Sequence, residues 1–115
     1  MHLNHLDLPV PDVAATADFF VRGFGFAPLF QRGGEMALLR DDDGFALVLT
    51  RSAAPRYPDD LHIGFLQPSD AAVHDVHRRL CEAGIDAPAP FVAHGCLQFW
   101  MEAPGGMRIE ISHRS

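Results

Sequence analysis

Two histidines and one glutamate are the residues of this chain best placed to do chemistry. His5 in LNHLDLPV, His62 in LHIGFL and Glu110 in MRIEIS each lie in a short run that alternates apolar and polar residues, which is the period of a β-strand with one buried face. In the last run Ile109 and Ile111 fall on one face, and Arg108, Glu110 and Ser112 on the other. In the second, Ile63 and Phe65 oppose His62, Gly64 and Leu66, and in the first, Leu6 and Leu8 oppose His5 and Asp7. If the apolar faces pack on helices, all three candidate ligands point to the helix-averted side. Two imidazoles and a carboxylate form the set that suits Fe(II), with Mn(II), Ni(II) or Zn(II) also compatible. Three protein ligands leave positions open for water or substrate, as a catalytic ion requires.

The same side chains admit a plainer reading. A strand histidine is commonly just solvated or hydrogen-bonded. A glutamate between two isoleucines could pair with an arginine such as Arg40, Arg51 or Arg108, which would make it a structural ion pair. The case for ligands rests on a duplication. Setting His5 on His62 aligns HLDLPVPDVAATADFFVRGFGFAP with HIGFLQPSDAAVHDVHRRLCEAGIDAP, and GFALVLT then falls on GMRIEIS, so that Gly44 meets Gly106 and Val48 meets Glu110. Loop length absorbs the small difference in spacing. The two histidines thus begin equivalent strands of an internal repeat.

Each copy reads as strand, Pro-containing turn, amphipathic helix, glycine stop and further strands, a βαβββ unit within an α+β fold. Asp12 is a natural N-cap after Pro11, with Val13, Ala17 and Phe20 at helical spacing and Gly23 or Gly25 to end the helix. In the second copy Ser69 caps, Val73, Val76, Leu80 and Cys81 form the expected buried stripe, and Gly84 closes. His74, Asp75, Arg78, Arg79 and Glu82 take the wet faces. In CLQFWM, Leu97, Phe99 and Met101 face the helices, while Cys96, Gln98 and Trp100 share the face of the histidines. That face has the mixed polarity of a pocket rather than of a second core.

Around the ligand set, Gln98, Trp100 and Arg108 are positioned to shape a substrate site. His94, in the AHG turn before CLQFW, is the spare candidate for moving a proton near neutral pH. His2, His74, His77 and His113 read as solvated, and RSAAPRYPDD reads as a linker in which Arg56 and Tyr57 could form part of a rim.

The bulk properties narrow the partners. A chain of 115 residues with 48% hydrophobic content is the size of one domain; the first module is expected at about 1–52, the linker at 51–60 and the second module at 60–115. A net charge of −6, with no lysine and nine arginines forming no stripe, argues against nucleic acid. The amino terminus has no basic, apolar leader, and no run approaches the ~20 apolar residues of a membrane span. Two cysteines, expected as free thiols, fit a reducing, cytoplasmic location.

Three stretches, LNHLDLPVPD, LHIGF and the closing APGGMRIEIS, in this order and spacing, resemble the vicinal oxygen chelate superfamily, which includes glyoxalase I, extradiol dioxygenases, fosfomycin-resistance thiol transferases and bleomycin-binding proteins. The resemblance covers nearly the whole chain. It implies paired modules curled into a cupped, partly closed mixed sheet with helices on the convex side. It also implies a divalent ion at His5, His62 and Glu110, a small substrate that chelates through neighbouring oxygens, and a homodimer. Val48 stands where glyoxalase I-like members carry a further ligand, which disfavours that activity. The expectation is a metal-dependent lyase, dioxygenase or thiol transferase, and the alternative is a metal-free protein that sequesters a small molecule in the bleomycin-resistance manner.

Overall fold

Both helices start where a short polar side chain can satisfy an orphan backbone donor. Asp12 Oδ1 accepts from the Ala15 N–H at 3.0 Å and Ser69 Oγ from the Ala72 N–H at 3.1 Å, the N-cap arrangement that the sequence signals. In the computed structural model, which describes residues 1–114, these caps open α1 (Val13–Phe24) and α2 (Asp70–Glu82). The first helix ends at Gly25. The second ends in a Schellman arrangement: Gly84 takes φ +74°, its N–H donates to Cys81 and the Ile85 N–H donates to Leu80. A side chain at that φ would crowd the following carbonyl, so glycine is the fitting residue.

The strands are β1 (His5–Val10), β2 (Ala27–Arg32), β3 (Met36–Arg40), β4 (Ala46–Arg51), β5 (His62–Leu66), β6 (Phe91–Ala93), β7 (Cys96–Glu102) and β8 (Arg108–His113). They form two four-stranded mixed sheets, ordered β1-β4-β3-β2 and β5-β8-β7-β6. In each, the first strand lies parallel to the last, and the remaining pairs are antiparallel. The chain accordingly divides into two compact units, Met1–Arg56 and Tyr57–Ser115, and the division falls inside the stretch read as a linker.

Each unit buries its own helix against its own sheet. In the first, Val13 and Phe20 of α1 join Leu8, Val10, Leu39, Leu47 and Leu49, all nearly inaccessible. In the second, Val73 and Leu80 of α2 join Phe99, Met101, Ile109 and Ile111. The alternation read from the sequence therefore assigns the central strands to the correct faces. A fully buried side chain of this size contributes roughly 1.5–3 kcal/mol, so the inward set fixes each sheet's orientation.

Three helix positions, Ala17, His77 and Cys81, depart from expectation. Thr16, not Ala17, is fully buried on α1, because the inner stripe also takes in Phe19 and Gly23 and is centred near Thr16. The threonine hydroxyl donates to the Asp12 carbonyl at 2.7 Å, which satisfies it inside the core. On α2, Cys81 is exposed rather than buried. At ~100° per residue the stripe of Val73, Val76, His77 and Leu80 points roughly 90° away from position 81. His77 takes the inner place and is half-buried rather than solvated: its ring packs edge-on to Phe99 at 5.3 Å, and Nε2 donates to the Ala87 carbonyl at 3.1 Å.

These placements give opposite expectations for two substitutions. Phe99→Ala should destabilise the protein by about 3–5 kcal/mol in urea unfolding, whereas Cys81→Ala should stay within about 0.5 kcal/mol. A large loss at Cys81 would contradict its placement on the wet flank.

Candidate functional site

The parallel ladder of the second unit sets His62 opposite Arg108 and Gly64 opposite Glu110, while the antiparallel ladder beside it sets Trp100 opposite Glu110 and Gln98 opposite Ser112. Since side chains alternate faces, His62, Arg108, Glu110, Trp100, Gln98 and Ser112 share the surface that looks away from α2. Within this unit, His62, Glu110 and the three expected substrate-site residues are thus neighbours.

Glu110 is the centre of that surface and is only 8% exposed. Ser112 Oγ donates to its Oε2 at 2.9 Å, and Arg114 Nη2 reaches the same oxygen at 3.4 Å. The ionic partner is therefore Arg114 and not Arg40, Arg51 or Arg108; it follows Glu110 by an even number of residues, shares its face and folds back along it. Oε1 takes part in neither bond. Opposite stands Gly64, whose missing side chain leaves room: a Cβ there would lie 3.6 Å from the Glu110 carbonyl oxygen and 3.8 Å from Oε2.

His62 on β5 and Trp100 on β7 flank β8, so their strands are roughly 10 Å apart at ~4.8 Å per step. Their ring centroids nevertheless approach to 4.7 Å at an interplanar angle of 65°. The two rings must therefore lean toward each other across β8. Trp100 Nε1 donates to Gln98 Oε1 at 2.8 Å, and Gln98 Nε2 donates to the Ala93 carbonyl at 3.1 Å, which braces the indole from the β6 side. The Arg108 guanidinium lies 5.1 Å from the centre of the same ring, and its Nη1 donates to the Asp59 carbonyl at 3.1 Å. His62 itself is exposed and makes no hydrogen bond among the described residues.

In the first unit, His5 opens β1 opposite Ala46, and Asp7 lies opposite Val48. This is the register of His62 with Arg108 and of Gly64 with Glu110, so the structure matches the two copies residue for residue. Asp7 brings a further carboxylate to this face, and Thr50 Oγ1 donates to its Oδ1 at 2.7 Å. Thr50 and Ser112 are equivalent positions, so a hydroxyl serves a carboxylate in both copies. The alternation of LNHLDLPV and GFALVLT carried the signal that Asp7 and Thr50 share a face.

His94 is set apart from this cluster. With Gly95 it forms the two-residue turn between β6 and β7, with φ of +52° and +75°, and it is the sole non-glycine residue with positive φ among those described. Paired positive φ values are the mark of a type I′ hairpin. Six residues separate His94 from Trp100, roughly 20 Å of strand at ~3.3 Å per residue, so within its own unit the turn is distant from Glu110.

Two observations bear on metal binding. No three His, Cys, Asp or Glu side chains stand together as a ready-made set among the described residues. The donors themselves nonetheless fit a divalent ion: a solvent-facing imidazole at His62 and, beside it, a carboxylate with Oε1 uncommitted, with a matching imidazole at His5 in the other copy. A cavity of about 470 Å³ near the head of β1, lined by His2, Asp41 and Asp43 among others, contains none of the expected site residues, and the Asp41 carboxylate there is taken up by the N–H groups of Asp43 and Phe45.

Comparison with known proteins agrees with this architecture. The family model described as Glyoxalase/Bleomycin resistance protein/Dioxygenase superfamily matches residues 2–111. An uncharacterised protein of Pseudomonas aeruginosa is 32% identical over 126 aligned positions, covering 96% of this chain and 87% of its own. Among solved structures, a possible glyoxalase from Bacillus cereus is similar with a TM-score of 0.83 and 39% identity, covering 96% of this chain and 97% of that one. A lactoylglutathione lyase from Agrobacterium tumefaciens shares the fold with a TM-score of 0.77 at 15% identity, over 97% and 92% of the two chains. In the described residues no helix is long and apolar enough to cross a membrane.

Tyr57, at the entrance to the second unit, gives this region a titration signal. Burial pushes its phenol above the usual value of 10.0, since a tyrosinate is poorly solvated there. A phenol with a raised folded-state value contributes stability below pH ~10 that is lost as pH rises through the folded value. As this is the sole tyrosine of the chain, ultraviolet absorbance should show one tyrosinate transition, with its midpoint above 10 in the folded protein and lowered on unfolding. A midpoint at or below 10 in folded protein would contradict that burial.

Proposed function

Because this chain belongs to the Glyoxalase/Bleomycin resistance protein/Dioxygenase superfamily, we propose that it is a divalent-metal-dependent enzyme acting on a small oxygen-chelating substrate. The observation that carries this reading is the buried Glu110 beside a solvent-facing His62, in a register that the first copy repeats with His5. His5, His62 and Glu110 would hold the ion, which is Fe, Mn, Ni or Zn on donor chemistry. His5 joins from the first unit of the same chain or of a second copy in a homodimer.

A divalent ion in this setting supplies Lewis-acid polarisation of neighbouring substrate oxygens or a seat for dioxygen chemistry. The protein's own residues do the rest. Ser112 holds Oε2 and so aims the carboxylate, a supporting bond whose loss typically costs about 10–100-fold in metal affinity. Gln98 fixes the plane of Trp100, and Trp100 and Arg108 border the space in which a substrate lies. His94 is the proposed proton carrier, an imidazole able to exchange a proton near neutral pH. The free thiols of Cys81 and Cys96 suit a reducing, cytoplasmic setting.

A second reading, metal-free sequestration of a small molecule, draws on the first unit's helix-averted face. There Val48, Ala46 and Leu38 offer apolar, half-buried surface where the second unit has Glu110 and Arg108.

Metal analysis of protein purified without chelators should give about one ion per three-ligand site, restored by added Fe, Mn, Ni or Zn if lost. Glu110→Ala and His62→Ala should each lower metal affinity at least about tenfold, and Ser112→Ala about 10–100-fold. A content near zero that added metal cannot raise would remove the enzyme reading. Small-molecule binding that survives the double change His5→Ala and His62→Ala would then favour sequestration.

A further inference from the structure

The surface bearing His62 and Glu110 also holds a cation that no carboxylate of the described residues neutralises. Arg108 is exposed and lies directly across the β7–β8 ladder from Glu102, yet the two form no ion pair, and no other carboxylate of the described residues pairs with Arg108. Arg22, Arg78 and Arg114, by contrast, reach Asp18, Asp75 and Glu110 at 2.8, 2.8 and 3.4 Å. The chain has 15 acidic residues against nine basic ones, so carboxylates are not scarce. The guanidinium is instead turned inward, onto the indole of Trp100 and the carbonyl of Asp59.

Both anchors leave the charge available. A cation–π contact orients a guanidinium without neutralising it, and a backbone carbonyl occupies one of five N–H donors. The remaining donors form a fixed fork, the geometry that grips a carboxylate or phosphonate through two parallel hydrogen bonds. The fork is also held in place, because Trp100 is itself tied to Gln98 at 2.8 Å and Gln98 to Ala93 at 3.1 Å. The holding is local: Asp59, Trp100 and Arg108 all belong to the second unit.

We propose that Arg108 is the anion-recognition residue of this site, and that the substrate carries an oxyanion group, a carboxylate or a phosphonate, in addition to the oxygens that would chelate an ion. Trp100 is a positioning residue that keeps the guanidinium plane fixed. The inference rests on the proposed site for the location of the substrate, but the charge preference belongs to Arg108 and needs no ion to be read.

Calorimetric titration of metal-free protein with benzoate, phenylphosphonate and benzamide, at low ionic strength, tests it. At least one of the two anions should bind about tenfold or more tighter than the neutral amide, as one charge-assisted hydrogen bond provides, and the tighter of the two identifies the oxyanion class. Arg108→Gln should abolish the preference, and Arg108→Lys should keep part of it, as a point charge without the fork. Trp100→Phe should retain more of it than Trp100→Ala, a ranking that loss of bulk structure would not produce, with thermal melts confirming that each variant folds. Equal affinity for anions and amide, a preference that survives in Arg108→Gln, or no binding at millimolar concentration each overturns the proposal. Metal titration of the same preparations separates the two ideas: absent metal binding with the anion preference intact sinks the enzyme reading alone, and the reverse result sinks Arg108 alone.

Discussion

In the ladder between β5 and β8, His62 stands opposite Arg108 and Gly64 opposite Glu110, and the polar contacts of the second unit's site follow from that register. The register is enforced from the other side of the sheet. Ile109 and Ile111 are wholly inaccessible beneath α2, and sliding β8 by one residue would turn both to water and drive Glu110 into the core. Each isoleucine contributes roughly 1.5–3 kcal/mol by burial, and an unpaired buried carboxylate costs several kcal/mol more. The apolar face thus aims the chemical one.

Glu110 shows how a carboxylate can be held nearly out of solvent and still keep one oxygen outside its side-chain bonds. Ser112 and Arg114 converge on a single oxygen, so the group is satisfied on one side and uncommitted on the other. The opposite strand contributes an empty place at Gly64, and β7 contributes the indole of Trp100. A Cβ at position 64 would sit in ordinary van der Waals contact with Glu110, 3.8 Å from the oxygen that the hydroxyl holds. Restricted rotation is what these surroundings impose on Glu110.

The duplicated copies use one scaffold for different surfaces. Equivalent positions hold Val48 and Glu110, Ala46 and Arg108, and Asp7 and Gly64, so the first copy is apolar where the second is charged, and charged where the second has no side chain. Both keep a hydroxyl, Thr50 or Ser112, on their carboxylate. Repetition supplied the geometry, and substitution at three matched places separated the two faces.

The helix caps at Asp12 and Ser69, the stop at Gly84, the strand faces and the pairing of the copies were all legible in the residue order, because each rests on a local rule of period, capping or handedness. His5, His62 and Glu110 could be singled out in the same way, since alternation fixes a side chain's face without reference to the rest of the fold. Stripe width escaped that logic: whether Thr16 or Ala17, and His77 or Cys81, lies inward depends on how each helix is rolled against its sheet. So did the choice of ionic partner, because reach and competing contacts decide that Arg114 meets Glu110 while Arg108 settles on Trp100. Period and pairing are written along the chain, but helix roll and the resting place of a long, flexible cation emerge only when packed neighbours close off the alternatives.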